Sequence, residues 1–322
     1  MANLWELSDL ATPWCVHVAA TLRIAERIAG GVDEIGALAA AANCDRQTLH
    51  RVLDLLVSKG VFEQPKPGHF ALNQAARALL NPGVQLSLDL DGLGGRMAHA
   101  WSTLLDFVRT GEPAYSRLFG RGFWEDLDAH PELSAQFDAL IGPAGHGMPS
   151  PRFDLAAGWE GVRTVVDVGG GTGAMLAEIL RSRPGVRGTL VDLPRTVARS
   201  NGIFAAAGVA DRVNVAGQSF FDPLPPGADL YLLRGILNDW PDREAAAILL
   251  RCAEAARPEG RVVVLKGVRP DGAPRPLTIE MVLVGGKHRS VSELCELANH
   301  SGLQLVAAGS QAEYFVVEFR PA

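Results

Sequence analysis

Val165-Val166-Asp167-Val168 runs directly into Gly169-Gly170-Gly171-Thr172-Gly173, and a helical stretch from Ala174 to Leu180 follows. An apolar strand that ends in glycines and turns at once into a helix starts a parallel βαβ unit. Glycine has no Cβ and accepts positive φ, so the turn lets backbone approach a ligand and aims free N–H groups at it. The alternation continues downstream, with strands expected at Thr164–Val168, Arg187–Val191, Val213–Ala216, Leu230–Leu233, Arg261–Lys266 and Tyr314–Glu318. The expected C-terminal fold is α/β: a Rossmann-like, doubly wound and mostly parallel sheet with helices on both faces.

Residues up to about Ile141 follow another rule, with alanine and leucine at three- and four-residue spacing in Val16–Ala29 and Ile35–Ala42. Arg46–Lys59 reads as a helix stopped by Gly60, and Val61–Gln64 and His69–Leu72 read as a small hairpin. Helix, turn, helix, hairpin is the order of a winged helix, so the N-terminal part is expected to be a helical, winged-helix-like packing and dimerisation domain. Helices around Met97–Thr110 and Trp124–His130 are expected to connect the two parts. The domains are placed at residues 1–141 and 142–322, and 322 residues suit two domains.

A winged helix raises the question of DNA. Its second helix offers only Arg46, His50, Arg51 and Lys59 as cations, and the chain carries 30 basic against 36 acidic residues, a net charge of −6. Nucleic acid is therefore not an expected partner. Four cysteines without a C-x-x-C pair give neither a disulfide framework nor a thiolate zinc site. No apolar run reaches the ~18 residues of a membrane span. Glu6 and Asp9 stand where a signal peptide would carry lysine or arginine, so the expectation is a cytoplasmic protein with no membrane partner.

The glycine turn fits a nicotinamide dinucleotide through Gly169, Gly171 and Ala174, and Asp192 at the end of the second strand would bind ribose hydroxyls of either cofactor. Asp167 shifts the balance. Two residues before the first glycine, its carboxylate can receive the ammonium of an amino-acid moiety, which a dinucleotide lacks. S-adenosylmethionine, a sulfonium with an adenosine and an amino acid, fits better.

The chain resembles the class I S-adenosylmethionine-dependent O-methyltransferases of the plant caffeate type and their bacterial natural-product relatives. The resemblance covers nearly the whole length: the winged-helix region, Thr110-Gly111-Glu112-Pro113, the glycine turn, Val191-Asp192-Leu193-Pro194 and Asp211-Arg212-Val213. It continues through Phe220-Phe221-Asp222-Pro223-Leu224-Pro225, Asp239-Trp240-Pro241-Asp242 and Gly285-Gly286-Lys287. It implies a homodimer built through the N-terminal domain and a small-molecule substrate. It also implies that Gly169, Gly171 and Gly173 line the methionine and ribose with Asp167 nearby, that Asp192 holds the ribose hydroxyls and that Leu193 covers an adenine face. Ser219 stands where the family usually has an aspartate for the adenine amino group, Phe220 would stack on the ring, and Arg234 matches a basic residue at a strand end. For Phe220 and Leu193 the alternative is plain core packing.

The reaction centre departs from the family. The histidine that removes the acceptor's proton is replaced by Asn238, and the two glutamates that orient it fall on Lys266 and His288. An amide cannot take a proton at neutral pH, and an acceptor with a phenol-like pKa of about 10 stays protonated without help. Alignment alone can supply ~7–11 kcal/mol to a displacement, so an acidic phenol, enolate or amine acceptor fits an asparagine. Lys266 would attract an anionic substrate group, with an exposed strand-end lysine as the alternative. His288 is a replacement base or a surface histidine beside Lys287 and Arg289. Asp239 with His288 and a further ligand would suit a metal, but Asp239 is expected to serve helix starting instead, and no metal is assigned. His146 and Met148 are candidates to reach the acceptor.

The expected activity is methyl transfer to a small aromatic or enolic acceptor in specialised metabolism, oxygen first, with carbon and nitrogen open. The alternative is a cofactor-binding homologue that no longer methylates and catalyses hydroxylation, decarboxylation or ring chemistry.

Overall fold

A computed structural model describes residues 3–142 and 148–322. They fall into two compact units, residues 3–99 with 130–142 and residues 100–129 with 148–322. The helices around Met97–Thr110 and Trp124–His130, read from the sequence as a connection and counted within residues 1–141, lie mostly in Ala100–Ala129, which groups with the C-terminal unit.

In the first unit, Asp45 caps helix Arg46–Ser58 by accepting from the Thr48 N–H at 2.8 Å, and Gly60 just beyond it has φ +76°. Leu49, Leu53 and Leu56, spaced four and three apart, lie on its buried face. They pack with Ile24, Leu38, Phe62 and Phe70, the last two from the antiparallel hairpin β1 (Phe62–Lys66) and β2 (His69–Leu72). Each such side chain contributes about 1.5–3 kcal/mol by leaving water. This is a helical domain with one small hairpin.

The second unit is built on a seven-stranded sheet. Its strands are β3 (Thr164–Val168), β4 (Arg187–Asp192), β5 (Val213–Gly217), β6 (Leu230–Arg234), β7 (Arg261–Leu265), β10 (Leu303–Ser310) and β11 (Phe315–Pro321), in the order β10-β11-β7-β6-β3-β4-β5. Five strands run parallel, and β11 closes antiparallel on β7. A second pair, β8 (Val268–Arg269) and β9 (Arg289–Ser290), joins two loops. Apolar residues of both sheet faces are buried, Val166, Val168 and Leu233 among one set and Val165, Leu190 and Leu232 among the other. A strand buried on both sides reads as a continuous apolar run, as β3, β6 and β7 do.

The chain leaves β3 toward β4 and β5 on one side and returns through β6 and β7 on the other. The carboxyl ends of β3 and β6 therefore flank the switch point, where open α/β sheets bind ligands. Three differences from the sequence expectation stand out. β10 was not expected: three of its eight residues are alanine or glycine, and a bulge between Leu305 and Ala307 breaks its alternation. β7 stops at Leu265, because Lys266 adopts φ +66° and turns the chain. The stretch Met97–Thr110 is broken into Leu93–Ala100, a 3-10 turn at Trp101–Thr103 and Leu104–Thr110.

Candidate active site

β3 ends in a turn whose glycines Gly169, Gly171 and Gly173 have φ of +68°, +62° and +87°. A Cβ on Gly169 would lie 2.6 Å from Ile236 Cδ1, and one on Gly173 would overlap the Phe204 ring. Gly171 has nothing within 4 Å, so its backbone faces open space. The Gly171 N–H donates to Asp192 Oδ2 at 2.8 Å and the Leu193 N–H to Oδ1 at 2.7 Å. Each oxygen of Asp192 is fixed by one backbone donor and keeps lone pairs for a diol. Burial raises the Asp192 carboxyl above its usual range, against those two donors.

Asp167 is 1% exposed, and its Oδ2 has no partner. Burial pushes its carboxyl up to about 7, with Arg234 opposing and Asp192 adding. Arg234, at the end of β6, has a buried Nε without a partner. An orphaned acceptor and an orphaned donor at one switch point suit a group that carries both an ammonium and a carboxylate. The donor set thus fits S-adenosylmethionine, whose ribose diol would meet Asp192. Phe220 lies beside the turn, its Cε1 3.3 Å from where a Gly169 Cβ would be, and packs edge-on against Trp240 at 5.9 Å. Ser219 Oγ accepts from the Phe221 N–H at 3.2 Å, which ties the residue to its own turn.

Past β6, Leu237–Asp239 forms a 3-10 turn. Asn238 Nδ2 donates to Asp239 Oδ1 at 2.8 Å, and Asn238 Oδ1 is buried without a partner. Asp239 does not cap the following helix, Asp242–Ala256, whose N-cap is Pro241. Its carboxyl is pushed up to about 8 by burial and then by the charge of Glu280. Gly267, φ +73°, fits against Asn238: a Cβ there would lie 2.6 Å from Asn238 Oδ1. The Arg289 N–H donates to Gly267 O at 2.9 Å, which brings the His288 segment to the same place.

His288 turns Nδ1 toward Arg269, 3.4 Å from its Nε and Nη2. Burial and then Arg269 lower its pKa, against Glu280, so the ring is neutral at pH 7, and with Nδ1 accepting, the proton sits on Nε2. Lys266 is exposed, as in the alternative of a strand-end lysine. Partial burial of the side chain, and then Arg234, lower its ammonium below the usual lysine range. Among the described residues no group of three His, Cys, Asp or Glu side chains could hold a metal ion. Met148 is 54% exposed, and His146 lies outside the described residues.

Three features escaped the sequence. Arg289, given no role there, is 1% exposed and donates to Asp242 Oδ1 (2.9 Å), Leu237 O (2.6 Å) and Trp240 O (2.8 Å), so it clamps the Asn238 turn from behind. Glu280, in helix Ile279–Val284, acts electrostatically on both Asp239 and His288. Trp124 stacks on Trp240 at 5.5 Å and 18°, and Phe221 meets Trp240 edge-on, an aromatic wall next to the turn.

Residues 101–304 match the O-methyltransferase domain family and residues 5–82 the O-methyltransferase dimerisation domain family. The chain is 39% identical to the 2,7-dihydroxy-5-methyl-1-naphthoate 7-O-methyltransferase of Streptomyces carzinostaticus, over 98% of this chain and 96% of that protein. It is 40% identical to aclacinomycin 10-hydroxylase RdmB of Streptomyces purpurascens, over 94% and 84%. A crystal structure of the O-methyltransferase NcsB1 from neocarzinostatin biosynthesis, in complex with S-adenosylmethionine and 2-hydroxy-5-methyl naphthoic acid, is also similar. It superposes with a TM-score of 0.90 at 37% identity, covering 100% of this chain and 99% of that one. With both family domains matched in order and these relatives aligned over nearly the whole length, the chain belongs to the O-methyltransferase family and is an S-adenosylmethionine-dependent methyltransferase.

Proposed function

We propose that this enzyme methylates a hydroxyl of a small aromatic or enolic acceptor in natural-product biosynthesis, as a cytoplasmic homodimer, without a side-chain general base at the usual position. The carrying observation is the Asn238 amide: Asp239 fixes its nitrogen, and its buried oxygen lacks a donor. A substrate O–H satisfies that oxygen and is thereby aimed.

Gly169, Gly171, Gly173, Asp167 and Arg234 would hold the amino-acid part of the cofactor, Asp192 its ribose, and Leu193, Ser219 and Phe220 its base. Bound there, S-adenosylmethionine supplies a methyl on a positively charged sulfur, and an aligned oxygen takes it with the bonding pair left on sulfur. Asn238 contributes alignment, worth up to ~7–11 kcal/mol in well-oriented reactions. It cannot keep the proton, so the hydroxyl is one acidic enough to stay held on Asn238 Oδ1 until the new C–O bond forms and then to pass its proton to water. Lys266 favours that proton loss by its charge, and His288, with Nε2–H, is a donor to a neighbouring oxygen of the substrate. An amine or carbanion acceptor would need the same alignment.

A second reading has support of its own, since a relative of 40% identity is named a hydroxylase. Mass spectrometry of the product after incubation with S-adenosylmethionine and hydroxylated aromatic acids separates them. A product heavier by one methylene unit, with S-adenosylhomocysteine formed in equal amount, is expected. A product heavier by one oxygen, with the cofactor unconsumed, would overturn the methyl-transfer reading.

A further inference from the structure

Arg289 carries a buried positive charge, and a guanidinium stays out of water only where its N–H groups are met. They are met by three neighbours of Asn238. Nη1 donates to Leu237 O at 2.6 Å, Nη2 to Trp240 O at 2.8 Å and Nε to Asp242 Oδ1 at 2.9 Å. The two carbonyls bracket Asn238 and Asp239 in the chain, so one planar fork fixes both ends of the turn. The Arg289 backbone adds to this, its N–H donating to Gly267 O at 2.9 Å, and Gly267 is the residue that fits against the Asn238 amide. Gly286, three residues before Arg289, sits so close to the turn that a Cβ on it would overlap Asn238 O. The amide itself has one side-chain tie, Nδ2 to Asp239 Oδ1 at 2.8 Å. Its Oδ1 takes no hydrogen bond from Lys266 or His288, the residues at the two glutamate positions.

We propose that Arg289 is the positioning residue for methyl transfer: by holding the carbonyls on either side of Asn238 and Asp239 it sets where the Asn238 amide points, and so where the acceptor oxygen lies. This rests on Asn238 aiming the acceptor hydroxyl and deepens that role. A histidine that gains a proton is stabilised by carboxylates beside it. An amide gains no charge, so it needs only to be held still with its oxygen open, and backbone contacts from behind can do that. Arg289→Lys separates the clamp from the charge. A lysine keeps a cation for Asp242, but one ammonium on a flexible stem does not reproduce the fork across both carbonyls.

The test is a double-mutant cycle in kcat on the full-length protein, with the hydroxylated aromatic acid that wild type methylates fastest in the mass-spectrometric assay above. A misplacement of ~1 Å costs about 10²-fold, so Arg289→Lys is expected to lower kcat by roughly 10- to 10²-fold. S-adenosylhomocysteine affinity should stay within about twofold. In the Asn238→Ala background the same exchange is expected to change kcat less than about twofold, because no amide is left to place, although Tm falls in both backgrounds. Lys287→Ala removes the other cation on Asp242 and should leave kcat near that of wild type. Asp242→Ala loosens the guanidinium from its exposed end and replaces Arg289→Lys if that variant does not fold, with the same expected pattern of a loss that disappears in Asn238→Ala. Wild-type kcat in Arg289→Lys, or a loss of equal size in both backgrounds, would overturn the role of Arg289 alone. Wild-type kcat in Asn238→Ala would overturn the role of Asn238 and this one with it, and a wild type that methylates none of the acids would overturn the methyl-transfer reading beneath both.

Discussion

Gly267→Ala isolates the Asn238 amide from the rest of the site. Gly267 sits at φ +73°, so any other residue there pays about 1–2 kcal/mol for the left-handed backbone. Its new Cβ would lie 2.6 Å from Asn238 Oδ1 and 2.8 Å from Asn238 Cβ. Rotating the amide relieves the first contact but not the second, so the turn Leu237–Asp239 has to move. Overpacking of this kind adds about 1–3 kcal/mol, and domains of 150–250 residues lose about 2–4 °C of Tm per kcal/mol. A misplacement of ~1 Å at a positioning group costs about 10²-fold in rate. Methyl transfer measured by product mass spectrometry should therefore fall about 10²-fold in kcat. S-adenosylhomocysteine affinity, set by other loops, should stay within about twofold, well inside the tenfold that 1.4 kcal/mol represents. In the double variant Gly267→Ala, Asn238→Ala the Cβ contact and the left-handed backbone cost remain, so its Tm should stay below that of Asn238→Ala, but kcat should fall little further than in Asn238→Ala alone, because no amide is left to misplace. Activity close to wild type in Gly267→Ala, or losses that add in the double variant, would refute the role of Asn238.

The remaining predictions concern the parts around that amide. Asp192→Ala removes the acceptor that Gly171 and Leu193 fix, and charged hydrogen bonds are worth about 1.5–3 kcal/mol each, so S-adenosylhomocysteine should bind at least ~10-fold more weakly by calorimetry. Arg289→Met leaves the carbonyls of Leu237 and Trp240 and one Asp242 contact unpaired; a loss of roughly 3 kcal/mol should appear as a lower denaturant midpoint. Asp239 titrates at about 8 in the folded chain against 3.8 unfolded, so the folded state binds more protons between those values. Its contribution to stability is complete below the unfolded value and is lost as pH rises through the folded one; Asp239→Asn should flatten that part of a Tm-against-pH curve.

What the sequence made legible was chemistry carried by neighbours in the chain. The strand, glycines and helix from Thr164 to Ser182 lie where the apolar run and glycines put them, and Asp192 meets Gly171 because parallel strands place their ends side by side. Asn238, Lys266 and His288 were visible as departures from a known pattern. Their geometry was not, since the positive φ of Lys266 and the close seat of Gly267 on Asn238 depend on packing between segments far apart in sequence. Arg289 illustrates the limit: nothing local gives a role to an arginine after a lysine and a histidine, and only the turn's carbonyls reveal it as a buried clamp. Glu280 carries no local signal at all, being one carboxylate in the first turn of an apolar helix.

The account depends on the donor resting against the open backbone of Gly171. Calorimetric titration of S-adenosylhomocysteine into wild type and Gly171→Val tests this most directly. Saturable binding to wild type, one ligand per chain, and none to the variant is the predicted result, since a branched side chain would fill the space that the glycine leaves open. Equal binding by both proteins, or a wild type that ignores this ligand and takes up a nicotinamide dinucleotide, would contradict it.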